Sequence, residues 1–232
     1  DLDILFWNMG PMRSLHSAGS LMHYRQDQAP AGATARCTDG CPVAEECPWD
    51  ARRLYLNMQL ISWPVTALGS DLSAEGRLHA LHSGPYGRCV YHCDNDVVDH
   101  QVVSMETDQG STVTLIMHGH SHEENRTMRY DGTRATLRGR FGYQGMALDI
   151  HDHLTGRHES IDIQNQASGH GGGDFGIMRS FVRAMHGEAS ALTTARESLE
   201  SHLMAFAAEE SRLSGNPINM QHFRAQAENS SL

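Results

Sequence analysis

The chain has 232 residues, 39% hydrophobic and 20% charged, with Asp+Glu 28 against Lys+Arg 18 and a formal net charge of −10. This is ordinary soluble composition, enough for one core or two small ones. The acidic balance argues against a nucleic-acid partner, which calls for a clustered basic surface. No apolar run approaches the roughly 18 residues of a membrane span, which argues against a membrane partner. No basic-then-apolar secretory signal opens the chain, so the expected location is cytoplasmic. All 18 basic residues are arginine. Chemistry that needs a lysine ammonium therefore cannot come from this chain alone.

The first residues, "DLDILFWNMG", place Leu2, Leu5, Phe6 and Met9 at helical spacing, and Gly10-Pro11 gives a stop. Asp1 is a candidate cap, yet the helix has barely two turns and no visible beginning. The expectation is a C-terminal piece of something longer; the alternative is a processed mature N-terminus. Residues 12–25 form a strand or two, and residues 26–43, rich in Ala, Gly, Pro and Thr, read as an excursion loop. A helix follows over 44–58 with Leu54 and Met58 on one side, and 70–84 reads as a short helix or turn.

From residue 88 the pattern becomes β. "DHQVVSMETDQGSTVTLIM" holds two runs around "DQG", and Asp131-Gly132 makes a hairpin turn. Met146, Leu148 and Ile150 alternate, followed by Ile161 and Ile163. About six runs joined by tight turns predict a largely antiparallel sheet. Two helices follow. One begins near Asp174, carries Phe175, Met178, Val182 and Met185 on its core face, and stops at Gly187. The other opens on a capping-box spacing, Thr194 to Glu197, and buries Leu199, Leu203, Phe206 and Leu213. The expected fold class is α+β, an open-faced, mainly antiparallel β-sheet with helices packed on one face. Residues 221–232 read as a loose tail.

Three of the five cysteines, Cys37, Cys41 and Cys47, lie in "ARCTDGCPVAEECPWD", and Cys89 and Cys93 lie in "GRCVYHCDND". Zinc takes four thiolates tetrahedrally, so three from the loop and either Cys89 or Cys93 form a candidate metal set. A metal clip would hold a long irregular loop, 26–50, against its entropy. The alternatives are free or redox thiols and disulfides, and nothing in the sequence indicates the secretion that disulfides call for. If Cys89, Tyr91 and Cys93 lie on one strand, they share a face.

His118, His120 and His122 alternate in "MHGHSHEE", with His151 and His153 in "IHDH". They form either a divalent-metal face or, the favoured reading, a polar exposed sheet face. "SGHGGGDFG" lacks the dinucleotide fingerprint. It is either a tight turn into a helix capped by Asp174 or a turn that presents His170 to a ligand. "CDNDVVDHQ" packs Asp94, Asn95, Asp96, Asp99 and His100 together, suited to hydroxyl recognition or to a solvated loop.

Several stretches together, among them "ARCTDGCPVAEECPWDARRLYL", "GPYGRCVYHCDNDVVDHQVV", "DGTRATLRG", "GHGGGDFGIMRSFV" and "LTTARESLESHLMAFAAEESRL", resemble the C-terminal domain of Gfo/Idh/MocA oxidoreductases, the glucose–fructose oxidoreductase and inositol dehydrogenase relatives. The resemblance implies an N-terminal Rossmann domain binding NAD or NADP, absent here, and a C-terminal open-faced sheet for substrate binding and homo-oligomerisation. Residues 1–10 would be the remnant of the interdomain helix and 11–220 the substrate domain. The family's E-K-P lysine is missing. By the resemblance Asp3 would stand at the D of its H-x-x-D, which implies a catalytic histidine just before residue 1. The implied function is the substrate-binding part of an NAD(P)-dependent sugar or polyol dehydrogenase, inactive alone. Candidate substrate contacts are Asn95, Asp99, His100, His170 and Asp174. The alternatives are a relative of the NAD-dependent glycoside hydrolases and a free-standing metal-binding or interaction module.

Overall fold

The structure, a computed structural model, describes every residue except 123, 143, 144, 164–169 and 231–232. It has helices α1 (Leu2–Met9), α2 (Ala51–Tyr55), α3 (Ala74–Ser83), α4 (Gly173–Met185), α5 (Ala195–Ser214) and α6 (Met220–Ser230). Its strands are β1 (Met12–Ser20), β2 (His100–Thr107), β3 (Thr112–His118), β4 (Asn125–Asp131), β5 (Ala135–Gly142), β6 (Gly145–Asp152), β7 (His158–Asp162) and β8 (Ile218–Asn219). The fold class is α+β with open antiparallel sheets. The strands divide between two four-stranded sheets, β3-β2-β1-β8 and β4-β5-β6-β7. Two compact units result. One comprises Asp1–Pro11 with His120–Ala205, the other Met12–Gly119 with the chain from Phe206 on.

The second of these units holds a closed core. A register shift between Met12 and Ser14 lets Met12, Leu15 and Ser17 all turn inward, which strict alternation forbids. They are buried together with Val103, Met105, Ala207, Ala208 and Met220. Ser211 is fully buried; its hydroxyl accepts the Ser17 N–H at 2.9 Å and donates to the Asn216 carbonyl at 2.7 Å. The loose tail expected at 221–232 is instead α6, seated by fully buried Met220 and by Arg224, whose guanidinium donates to the Met12 carbonyl at 2.8 Å.

In the other unit the sheet stays open. Register places Tyr130, Leu137, Ile150 and Glu159 on one face, with Arg129, Arg138, Asp149 and Ser160 on the other. None of the described side chains of β4–β7 is fully buried. Helix α1 is joined to β4 by the Asp1–Arg126 ion pair and by Asn8, whose amide donates to the Tyr130 hydroxyl at 2.9 Å.

Several expected helical faces are placed differently. The 44–58 helix shrinks to Ala51–Tyr55, because Pro48 interrupts it and Asp50 caps what remains. In α4, Phe175, Met178, Val182 and Met185 are exposed, not core. In α5 the capping box forms, with Thr194 N–H to Glu197 Oε2 at 2.7 Å and Glu197 N–H to Thr194 Oγ1 at 3.2 Å. Its buried face, however, is Leu203, Met204, Ala207, Ala208 and Ser211, while Leu199, Phe206 and Leu213 are exposed. The true stripe uses small residues that a search for large apolar side chains passes over.

Two polar anchors hold the irregular part of this core unit. Arg77, 1% exposed on α3, donates to the carbonyls of Leu72 (2.8 Å), Tyr55 (3.3 Å), Asn57 (2.9 Å) and Leu60 (2.8 Å). The planar guanidinium supplies a fixed fork of five N–H groups, which an ammonium does not. Asp99, just before β2, is 4% exposed. One carboxylate oxygen accepts the N–H groups of Met22 (3.0 Å), His23 (2.6 Å) and Tyr24 (3.3 Å), and the other meets His100 Nδ1 at 2.8 Å. Burial works to raise this carboxyl, but the imidazole and the three N–H groups outweigh it and hold it well below the usual carboxylate range.

Arg77→Lys leaves several buried carbonyls without donors. The expected cost is about 1–3 kcal/mol, read in a melting experiment as a Tm fall of about 2–12 °C; an unchanged Tm would show that the anchor carries no stability. Because folding depresses the Asp99 pKa, its stabilisation is present above the ordinary carboxylate value of about 4 and is lost as pH falls below it. Asp99→Asn is expected to lower stability at pH 7 by about 1–3 kcal/mol and to flatten the acid limb of a stability–pH curve. Parallel curves for the two proteins would rule that out.

Candidate functional site

The Asp99 anchor brings together residues that the sequence scatters. Its three N–H donors lie in the turn that leaves β1, so Met22–Tyr24 is drawn to the start of β2. Asn95 reaches the same turn, with its amide 3.4 Å from the Tyr24 carbonyl and 3.4 Å from that of Val90. Asn95, Asp99 and His100 therefore belong to one neighbourhood, as their proximity in the sequence suggested. Asp99 spends its oxygens internally and is a positioning group. His100 commits Nδ1 to Asp99, which fixes the ring and leaves Nε2 as the nitrogen able to meet a ligand. Its side chain is 33% exposed.

Beside this anchor lies an aromatic cluster that sequence reading missed. His23 packs edge-on against Tyr24, Trp49 and Tyr91 with ring centroids 4.9, 6.3 and 5.3 Å away. Tyr24 packs against Trp49 at 5.3 Å. The Tyr91 hydroxyl lies 3.2 Å from His23 Nε2, and the Tyr24 hydroxyl donates to the Gly119 carbonyl at 3.1 Å. Burial pushes both phenols up, so they are neutral donors. The available signal was an aromatic beside each turn, in "MHYR", "CPWD" and "CVYHC", within otherwise polar stretches.

Trp49 and Tyr91 also wall a small cavity, about 20 Å³, into which the loop cysteines converge. Cys37, Cys41, Cys47 and Cys89 line it, and Cys93 does not. The loop is held there by an antiparallel bridge, Arg36 opposite Arg88. Cys37 N–H donates to the Gly87 carbonyl at 3.0 Å and Cys89 N–H to that of Ala35 at 2.9 Å. A side chain at Gly87 would collide with the Leu81 carbonyl. Arg36 ties the loop to the end of α3, donating at 2.8 Å to the carbonyls of both Leu81 and Gly84. Residues 89–93 form turns and bends, so the condition under which Cys89, Tyr91 and Cys93 would share a strand face is not met. Burial pushes the Cys37 thiol up. Burial also acts to raise Cys41, but N–H donors at Thr34 and Val43 prevail and leave it below its ordinary value.

The remaining candidates fall elsewhere. His170 and Asp174 are in the other unit and pair with each other, Nδ1 to carboxylate at 2.9 Å, with side chains 83% and 60% exposed. Helix α4 is capped by Gly172, so Asp174 is not the N-cap and sits inside the first turn. His170 takes left-handed backbone, φ 48°, a conformation that costs a non-glycine residue about 1–2 kcal/mol. Ser168 and Gly169 of that motif lie outside the described residues. The histidine face predicted at 118–122 does not form, since β3 ends at His118. His151 instead stacks on its cross-strand neighbour His158, with centroids 4.3 Å apart and planes within 4°. His153, beyond β6, meets the Thr136 hydroxyl at 3.2 Å. Among the described residues, no group of three or more His, Cys, Asp or Glu is arranged to hold a metal ion. No helix among them is long and apolar enough to cross a membrane.

No family model and no curated protein sequence matches the chain. Solved structures do. A Desulfitobacterium hafniense protein described as an NADPH-dependent oxidoreductase aligns over 95% of this chain and 46% of its own, with TM-score 0.56 and 10% identity. An oxidoreductase from Agrobacterium radiobacter, solved with NAD+, L-tartaric acid and magnesium, aligns over 95% and 47%, with TM-score 0.55 and 12% identity. A Thermotoga maritima oxidoreductase structure aligns over 94% and 43% at TM-score 0.50 and 12% identity. The chain spans about half the length of these proteins. Its fold is thus the one that makes up about half of each of these three oxidoreductases.

Proposed function

We propose that this chain is the substrate-binding and oligomerisation part of an NAD(P)-dependent dehydrogenase acting on a sugar or polyol, and that it is inactive alone. The observation that carries the reading is the likeness over 95% of the chain to about half of an oxidoreductase holding NAD+ and a polyhydroxy acid. On this reading the nicotinamide cofactor is held outside this chain. Among the described residues every strand pairing is antiparallel, so no parallel βαβ unit offers the crevice and glycine turn that cradle a pyrophosphate. With no lysine present, the proton-handling lysine of such enzymes would also come from elsewhere. NAD or NADP therefore belongs to a nucleotide domain beyond these residues.

The work left to this chain is recognition and orientation. His100, its Nδ1 locked on Asp99, presents Nε2 as a donor or acceptor for a hydroxyl, and Asn95 adds an amide beside it. His170 and Asp174 supply a second exposed pair able to bind hydroxyls. Self-association belongs to the same reading. The exposed apolar side chains of α4 and the open sheet β4–β7 support it.

Titration of the purified chain with sugars and polyols, followed by NMR, tests this. A polyol is expected to perturb His100, and His100→Ala to weaken binding about 10-fold, the worth of one hydrogen bond; the variant also takes a partner from Asp99 and lowers Tm, so binding is compared at a temperature where both proteins are folded. NAD+ is expected to give no response. Tight NAD+ binding by this chain, or polyol binding indifferent to His100→Ala, would overturn the assignment.

A further inference from the structure

We propose that Cys37, Cys41, Cys47 and Cys89 form a structural tetrathiolate site for one thiophilic divalent cation, zinc above all, with Cys93 standing outside it. The inference is independent of the dehydrogenase reading.

Its first support is convergence. Four of five cysteines, from three separate turns of one loop and from a segment forty residues on, line a single small cavity. At about 20 Å³ the space suits one water-sized body. The fifth cysteine sorts itself out: Cys93 turns its sulfur to the Cys89 carbonyl at 3.2 Å. The choice between Cys89 and Cys93, open from spacing alone, falls to Cys89.

The second support is the surroundings. Thiolates that bind a metal are steadied by N–H donors around them, and here Ala51 N–H lies 3.5 Å from Cys37 Sγ. Four thiolates on Zn²⁺ carry a net −2 charge, and Arg36 lines the same cavity. Arg52 lies close enough to Cys37 and Cys41 to interact with their charge. The nearby carboxylate, Asp50, is already occupied by the Arg52 side chain at 2.7 Å and the Arg52 N–H at 3.0 Å, so it is not a competing ligand.

The third support is need. Between β1 and α3 the chain has only short helical turns, and Cys37, Ala44 and Val65 are the only buried apolar residues among those described there, Val65 alone being fully buried. A metal supplies the cross-link that such a loop cannot obtain from burial. All five thiols are free. Among the described residues no three of them stand arranged as a ligand set, so binding requires the loop side chains to move until each sulfur lies about 2.3 Å from the ion. Charge balances without a redox partner: Zn²⁺ adds four Zn–S bonds, and four thiol protons leave to solvent.

The test uses the whole chain, purified under reducing conditions without chelator. Elemental analysis is expected to give about one zinc per chain. A thiol reagent should react at once with one cysteine, and with all five only after chelation and denaturation. Cys93→Ser should keep the zinc and abolish the fast thiol, whereas Cys89→Ser should lose the zinc. Should Cys89→Ser fail to fold, Co²⁺ added to the metal-free wild-type chain decides, through the thiolate-to-cobalt charge-transfer band and the strong visible bands of a tetrahedral site. No zinc uptake on back-titration, no such bands, zinc retained by Cys89→Ser, or an intact mass short by two or four hydrogens from disulfides would each overturn the proposal.

Discussion

A carboxylate that accepts N–H groups from three successive residues cannot shift without moving the chain it holds. Asp99 does this for Met22–Tyr24, and much of the irregular half of its unit is arranged around the result. The turn sets His23 and Tyr24, these rings seat Trp49 and Tyr91, and those two wall the cavity of the cysteines. The same carboxylate fixes the His100 ring. Charge, aromatic packing and thiol placement are thus successive consequences of one buried anion satisfied almost wholly by backbone. The arrangement also explains why Asp99 is a poor substrate ligand: its oxygens are committed before any ligand arrives.

Where residue type and period dictate structure, the sequence was legible. The strand runs of both sheets were located apart from β8, Gly10 and the Thr194–Glu197 box marked helix ends, and Asp131-Gly132 marked a hairpin. What failed depended on tertiary choice. The apolar stripe of α4 has the right spacing but no covering element among the described residues, so periodicity alone overstated its burial. In α5 Ala207, Ala208 and Ser211 share the core face with Leu203 and Met204, while Leu199, Phe206 and Leu213 stay outside. The tail became a helix because Met220 found a pocket and Arg224 a carbonyl, 212 residues away in sequence.

The candidate site shows the same division. Asn95, Asp99 and His100 were recognisable as a polar cluster, yet their partners in the Met22–Tyr24 turn lie more than seventy residues away and carry no mark of the pairing. The cysteine spacing suggested a shared purpose but left the fourth member open. The Arg36–Arg88 bridge, a two-residue contact without a pattern of its own, adjoins Cys37 and Cys89, and it is Cys89, not Cys93, that lines the cavity with the loop cysteines. Arg77 makes the complementary point. A buried arginine looks anomalous in a sequence and becomes ordinary only once the four carbonyls that receive it are in place.

The sheet that carries β1 is completed by the last part of the chain. β8 covers the free edge of β1, Arg224 reaches back to Met12, and the Ser17–Ser211 hydrogen bond spans 194 residues. On a ribosome adding about 5–20 residues per second, β1 waits roughly 10–40 s for its partner. Through that interval its edge and the inward faces of Met12 and Leu15 are open to other chains. Nascent-chain chaperones are therefore the expected guardians of this protein's yield, and cuts near its C-terminus should be felt first as aggregation.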